Sequence, residues 1–157
     1  MTHDPTLIAA RAILGESLDE LREAVAALTA EQLNTRPAGE DSNPLGVITM
    51  HALGSTRSWL ALATGAPLPP RDRPAEFRTV VEDTGAFVAE VDALAASIVA
   101  AIDDAETFDP SRTGVAPWRG GSEAEEPVTA AWALHHALVH LGEHVGHAQL
   151  TRQLFEG

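Results

Sequence analysis

Hydrophobic positions recur at spacings of three and four through much of this chain. In "DPTLIAARAILGESLDELREAVAALTAEQL", Leu7, Ala10, Leu14, Leu18, Leu21, Val25 and Leu28 fall on one helical face, as a 3.6-residue turn requires. Asp4 followed by Pro5 supplies an N-cap and a first-turn residue that needs no donor. "NTRPAGEDSNP" interrupts the pattern, with Pro37 and Gly39 as breakers. Ser42 or Asn43 is then expected to cap a second helix, with Pro44 near its first position. That helix carries "LGVITMHALGSTRSWLALATG" to about Gly65. The Pro-rich "APLPPRDRP" reads as a stiff connection. A third helix is expected from about Thr84 to Asp104, with Phe87, Val88, Val91, Leu94, Ile98 and Ile102 as its apolar face. The stretch "AETFDPSRTGVAPWRGGSEAEEP" shows no periodicity, and a connection that long in a compact domain often carries function. Pro127 opens a last helix, expected over about Val128 to Phe155. No stretch reads as a strand. The expectation is all-α: one four-helix bundle domain over residues 1–157, with long connections after the second and third helices that allow an order other than up-down-up-down.

Composition narrows the chemistry. The chain has 157 residues, 45% of them hydrophobic and only 4% aromatic. An alanine-rich core of small aliphatic pieces suits closely packed helices better than a sheet. The formal net charge is -13, and arginine supplies all the positive charge. Such a chain is poorly matched to a phosphate backbone or an anionic membrane surface, so neither nucleic acid nor membrane is an expected partner. The lack of lysine reads as the coding bias of a GC-rich genome. There is no cysteine. A metal ion must therefore be held by His, Asp or Glu, and any thiol chemistry must use a thiol from outside the chain. "MTHDPTLIAARAIL" has neither a basic nor an apolar leader region, and no apolar run approaches membrane-spanning length, so a cytoplasmic location is expected.

The histidines concentrate in "HALVHLGEHVGH", His136 to His147, at spacings of four, four and three. With His136 at zero on a helical wheel, His147 falls near about 20°, His140 near about 40° and His144 near about 80°. Leu134, Ala137, Leu138, Leu141, Val145 and Ala148 span roughly 100° to 180°. His140 and His144 therefore border the core, His136 and His147 lie further toward solvent, and His135 points away. A single histidine on an apolar face is ordinarily a core residue with one hydrogen bond. Two inward histidines at i and i+4 can share one metal ion, which would organise a cluster otherwise costly to bury. A third ligand must come from elsewhere. His3 sits at a terminus, whereas His51 lies on the buried stripe of the second helix beside the small residues Gly54 and Ser55. Three neutral imidazoles with open positions would make a catalytic type of site. Zn²⁺ is the first expectation, with Ni²⁺, Fe²⁺ or Mn²⁺ as alternatives.

A histidine within "ITMHALGSTRSWL", together with H-x-x-x-H in a final helix running into "GHAQLTRQL", resembles the DinB-like superfamily, which includes mycothiol-dependent maleylpyruvate isomerase-like proteins. The resemblance extends over "ESLDELREAVAALTAEQLNTRPAG", "SNPLGVITMHALGS" and "HLGEHVGHAQLTRQL", nearly the whole chain. It implies a four-helix bundle of unusual helix order and a divalent metal held by His51, His140 and His144, the pair the wheel selects plus the second-helix histidine. Some relatives carry Glu at the first last-helix ligand, where this chain has His140. It further implies a metal-dependent enzyme that uses a low-molecular-weight thiol, such as mycothiol, in S-transfer or isomerisation of a small electrophile. His147 and Glu143, and also Glu16, are candidates to relay protons. Arg57 and Arg152 are candidates to hold a carboxylate of substrate or thiol, with surface ion pairing as the plain alternative. "RDRPAEF", Arg71 to Phe77, is read as a structural connection, with lining the mouth of the site as the alternative. The connection bearing Trp118 is read as a lid or a mobile loop. Two other functions fit the same residues: a hydrolase using water in place of thiol, and a non-enzymatic metal-binding, carrier or pH-sensing stress protein. Leu150 and Leu154 lie off the core arc as candidate homodimer contacts.

Overall fold

The structure, a computed structural model, describes residues 4–156. His3 lies outside them. Four long helices form the bundle: α1 (Pro5–Ala26), α3 (Leu45–Thr64), α5 (Thr84–Asp103) and α6 (Ala130–Glu156). Short helices α2 (Ala30–Asn34) and α4 (Arg73–Glu76) interrupt the connections, and a two-stranded hairpin, β1 (Thr113–Val115) with β2 (Pro127–Thr129), precedes α6. α1 packs on α6, α6 on α3, α3 on α5 and α5 on α1. The four helices close a ring in which α1 and α3, and also α5 and α6, are diagonal. The connections that cross the bundle thus follow the first and third long helices, while the Pro-rich one after α3 joins neighbours.

The apolar face expected of the first segment is buried throughout, from Leu7 to Leu28. Its helix, however, ends at Ala26 and restarts at Ala30. Thr29 causes the break by forming a capping box, its Oγ1 accepting from Gln32 N–H at 3.2 Å while Gln32 Oε1 accepts from Thr29 N–H at 2.9 Å. Asp4 caps α1 as its sequence predicts, accepting from Thr6 N–H at 2.9 Å. The expectation for α3 needs correcting. Its N-cap is Pro44, which has no capping side chain. Ser42 instead closes a local turn, its hydroxyl donating to Gly39 O at 2.8 Å and accepting from Ala38 N–H at 3.1 Å. Gly65 ends α3 in the left-handed region at φ 81°, the conformation glycine adopts without a Cβ penalty.

The connection before α6 is not structureless. β1 and β2 pair antiparallel, with Thr113 opposite Thr129 and Val115 opposite Pro127. Too short to show alternation, these strands are set by tertiary anchors. Arg112 donates to the carbonyls of Leu62 and Ala63 at the end of α3, the latter at 2.9 Å, and its own carbonyl accepts from Ala130 N–H at 2.7 Å. The hairpin thereby ties the C-terminus of α3 to the start of α6. A second clamp joins Asn34 and Val81, with Nδ2 donating to Val81 O at 2.7 Å and Val81 N–H to Oδ1 at 2.8 Å. Among the described residues, α5 is long and apolar enough to cross a membrane by length and composition, contrary to the expectation that no run approaches that length. It is a bundle helix that buries Phe87, Val91, Ile98 and Ile102 and carries Glu90 and Asp92 outward.

Candidate metal centre

The seam between α3 and α6 brings three histidines together. His51 comes from α3, His140 and His144 from successive turns of α6, and one ligand atom from each lies within 4.8 Å of the others. All three side chains are half-buried. Nε2 of His140 and Nε2 of His144 stand 3.3 Å apart. The His51 ring lies edge-on to both, with centroids 5.2 Å from His140 and 5.3 Å from His144.

His51 is oriented from behind by α4. Asp72 accepts from Ala75 N–H at 2.9 Å and starts this single turn, with Pro74 in its first turn. The turn delivers Glu76, whose Oε2 lies 3.0 Å from His51 Nδ1. Arg71 holds the same carboxylate by two bonds, Nε to Oε1 at 2.7 Å and Nη2 to Oε2 at 3.0 Å. Arg71 and Glu76 are nearly buried, with side-chain exposures of 6% and 9%. Gly54 makes room for this carboxylate, because a Cβ there would collide with the Glu76 carboxyl. The "RDRPAEF" connection is therefore also part of the site's wall. Sequence reasoning missed Glu76 as a partner of His51; the stretch carries four charged residues, and nothing in their spacing tells which one turns inward.

The electrostatics keep His140 and His144 uncharged. Burial holds His140 down to about 3, helped by neighbouring His144, His51, His136 and Arg71. Burial likewise holds His144 down to about 4, with His51 and His147 adding to it. Burial would raise Glu76, but hydrogen bonds from His51 and Arg71 outweigh it and hold the carboxyl below its ordinary value. Neutral imidazoles beside an ionised carboxylate are the protonation states that metal ligation requires.

The other expected site residues divide. His147 is exposed, and its Nδ1 lies 3.4 Å from His144 Nδ1. Glu143 is exposed and acts electrostatically on His136, whose pKa burial lowers. Glu16 is exposed on α1. Arg57 donates to Pro70 O at 3.0 Å and lines a cavity with Arg71 and Glu76. Arg152 lies two turns beyond His144, where Nε sits 3.0 Å from Glu156 Oε1 as an ion pair without hydrogen-bond alignment. His135 points away, its Nδ1 2.7 Å from Ala131 O. His136 stacks on Trp132 with centroids 4.7 Å apart and meets Trp59 at 4.8 Å. Trp118 packs edge-on to Trp59 at 5.1 Å, so the segment that carries it is anchored in an aromatic wall.

These residues fit a divalent ion. Two nitrogens at zinc's bonding distance in a tetrahedral shell stand about 3.3–3.4 Å apart, as the two Nε2 atoms do. Glu76 occupies Nδ1 of His51 and leaves its Nε2 free. His140 Nδ1, directed away from the converging Nε2 atoms, is buried without a hydrogen-bond partner among the described residues.

Comparison with known proteins agrees with this architecture. No curated protein matches the chain. A conserved protein from Enterococcus faecalis shares the fold, with a TM-score of 0.70 at 18% identity over 98% of this chain and 97% of its own. Residues 13–148 match the DinB superfamily, a span holding all three converging histidines. The chain belongs to the DinB superfamily.

Proposed function

We propose that this protein binds one divalent metal ion, Zn²⁺ first among the candidates, through His51, His140 and His144, and serves as a metal-dependent thiol transferase or isomerase. The observation that carries the reading is the 3.3 Å approach of the two Nε2 atoms beside His51. An ion held there would supply Lewis acidity, favouring the thiolate form of a bound thiol such as mycothiol. The chain has no cysteine of its own, so this thiol is a co-substrate and its target a small electrophile. Glu76 fixes the tautomer and ring angle of His51, and Arg71 holds Glu76 ionised. His147 touches His144 and reaches solvent, which suits it to pass a proton outward, with Glu143 nearby on the same helix. Arg57 is held by Pro70 O on the cavity beyond Glu76 and Arg152 is paired with Glu156, so neither stands at the triad itself.

The test starts with tag-free protein and its His51→Ala and His144→Ala variants. Elemental analysis should find about one metal ion per wild-type chain and far less in either variant; equally low content in all three removes the reading. Conjugation of mycothiol to a generic electrophile should run faster than with metal-stripped protein. Turnover that needs the metal but no thiol would assign a hydrolase instead.

A further inference from the structure

A small cavity of about 200 Å³ lies on the side of Arg71 away from Arg57, lined by Leu68, Pro69, Arg71, Pro117 and Trp118. Four of these five residues offer apolar surface. Leu68 is 43% exposed at the cavity although it is a large aliphatic side chain. An engineered apolar cavity of about 150 Å³ holds a benzene ring, so the space suits one ring with a small substituent.

The cavity is joined to the triad along two routes. Arg71 leads through Glu76 to His51. Trp118 leads through Trp59 and His136 to His140, the last contact at a centroid distance of 5.5 Å. Arg71 commits Nε and Nη2 to Glu76, and its Nη1 makes no hydrogen bond among the described residues. It can therefore meet an acceptor from the cavity side. The larger space beyond Arg71 is lined by Asp72, Glu76 and Glu90 against Arg57 and Arg71, so carboxylates outnumber guanidiniums there. Of these two, the smaller cavity pairs apolar walls with a guanidinium and no carboxylate.

We propose that this cavity is a binding subsite for a small aryl carboxylate, its ring held between Leu68–Pro69 and Trp118 and its oxygens toward Arg71. The subsite rests on the metal-centre reading for its place beside reactive chemistry, but its occupancy does not require the ion. It gives the electrophile a chemical class: a flat, apolar acid of single-ring size.

The test uses benzoate as probe, on ¹⁵N-labelled protein both metal-stripped and zinc-loaded. The chain's three tryptophans give three indole N–H signals, and Trp118→Phe identifies the one from Trp118. Benzoate should shift that signal saturably in both samples, with a Kd on the order of millimolar. Acetate, which lacks the ring, should not, and benzyl alcohol, which lacks the charge, should bind about tenfold more weakly or worse. Leu68→Trp, which fills the space, should abolish the shift while keeping the wild-type helical circular dichroism. Isothermal titration should find binding lost in Trp118→Ala. Absence of a saturable shift in both samples overturns the subsite. So does a shift confined to zinc-loaded protein and equalled by acetate, which would mean that the carboxylate only ligates the ion. So does a folded Leu68→Trp chain that binds as wild type does. Elemental analysis judges the metal reading separately: metal-free protein that still binds benzoate at Trp118 retains the subsite and loses its neighbouring chemistry.

Discussion

Glu76 reaches His51 from a one-turn helix, its Oε2 3.0 Å from Nδ1. Such a carboxylate fixes which imidazole nitrogen stays free and raises its basicity, and loss of such a partner typically costs metal affinity about 10–100-fold. Glu76→Gln should weaken zinc binding by a factor in that range, measured by competition with a chromophoric chelator, while far-UV circular dichroism stays unchanged. Unaltered affinity would reduce Glu76 to a wall residue.

Gly54→Ala should reproduce much of that loss without touching a polar group. The added methyl meets the Glu76 carboxyl, and alanine is otherwise the better helix former by about 1 kcal/mol. Zinc affinity should therefore fall with little loss of thermal stability. Chelator competition and a melting curve on the same sample separate the two effects.

The apo-protein should lose stability on acidification below the ordinary histidine range. His140 and His144 titrate near about 3 and about 4 when folded, against about 6.5 unfolded. Between those values the unfolded chain binds more protons, so stability falls as pH drops from about 6.5 toward 4 and is insensitive to these two groups above it. Denaturant midpoints across that range should show the decline. His140→Gln with His144→Gln should flatten it.

Metal loading should be visible in tryptophan emission. Trp59, Trp118 and Trp132 form one aromatic cluster that reaches the triad through His136. Ni²⁺ or Cu²⁺ should quench the emission saturably, and excess Zn²⁺ should reverse the quenching by displacement. His144→Ala should abolish the saturable component, whereas His135→Ala, on the opposite side, should leave it intact.

Leu141 is fully buried between the two α6 ligands. Leu141→Ala should cost about 2–5 kcal/mol in chemical denaturation, more than any loss at the exposed Leu150 or Leu154.

The long helices were legible because each carries an unbroken apolar stripe. His140 and His144 stood out for the same reason: one helix fixes their relative direction, and the core side of that helix is evident from Leu134, Leu141 and Val145. His51 could be named by elimination and by resemblance. Glu76 and Arg71 could not, because their directions are set by a single helical turn and a proline-rich path with no periodicity. The hairpin was hidden for a related reason. Each strand is three residues long, and Arg112, which anchors it, bonds to carbonyls that every sequence possesses.

The ring of helices gives the triad one more consequence. α3 and α6 are neighbours in space but lie far apart in the chain, so an ion on His51 and His140 would close a loop of about 90 residues. Within that loop Arg112 already ties the C-terminal carbonyls of α3 to the start of α6. A bound ion would therefore act as a clasp on the last helix. Heat and denaturant resistance should then rise with free metal concentration as the logarithm of one plus its ratio to Kd, tying the persistence of the fold to the supply of the ion.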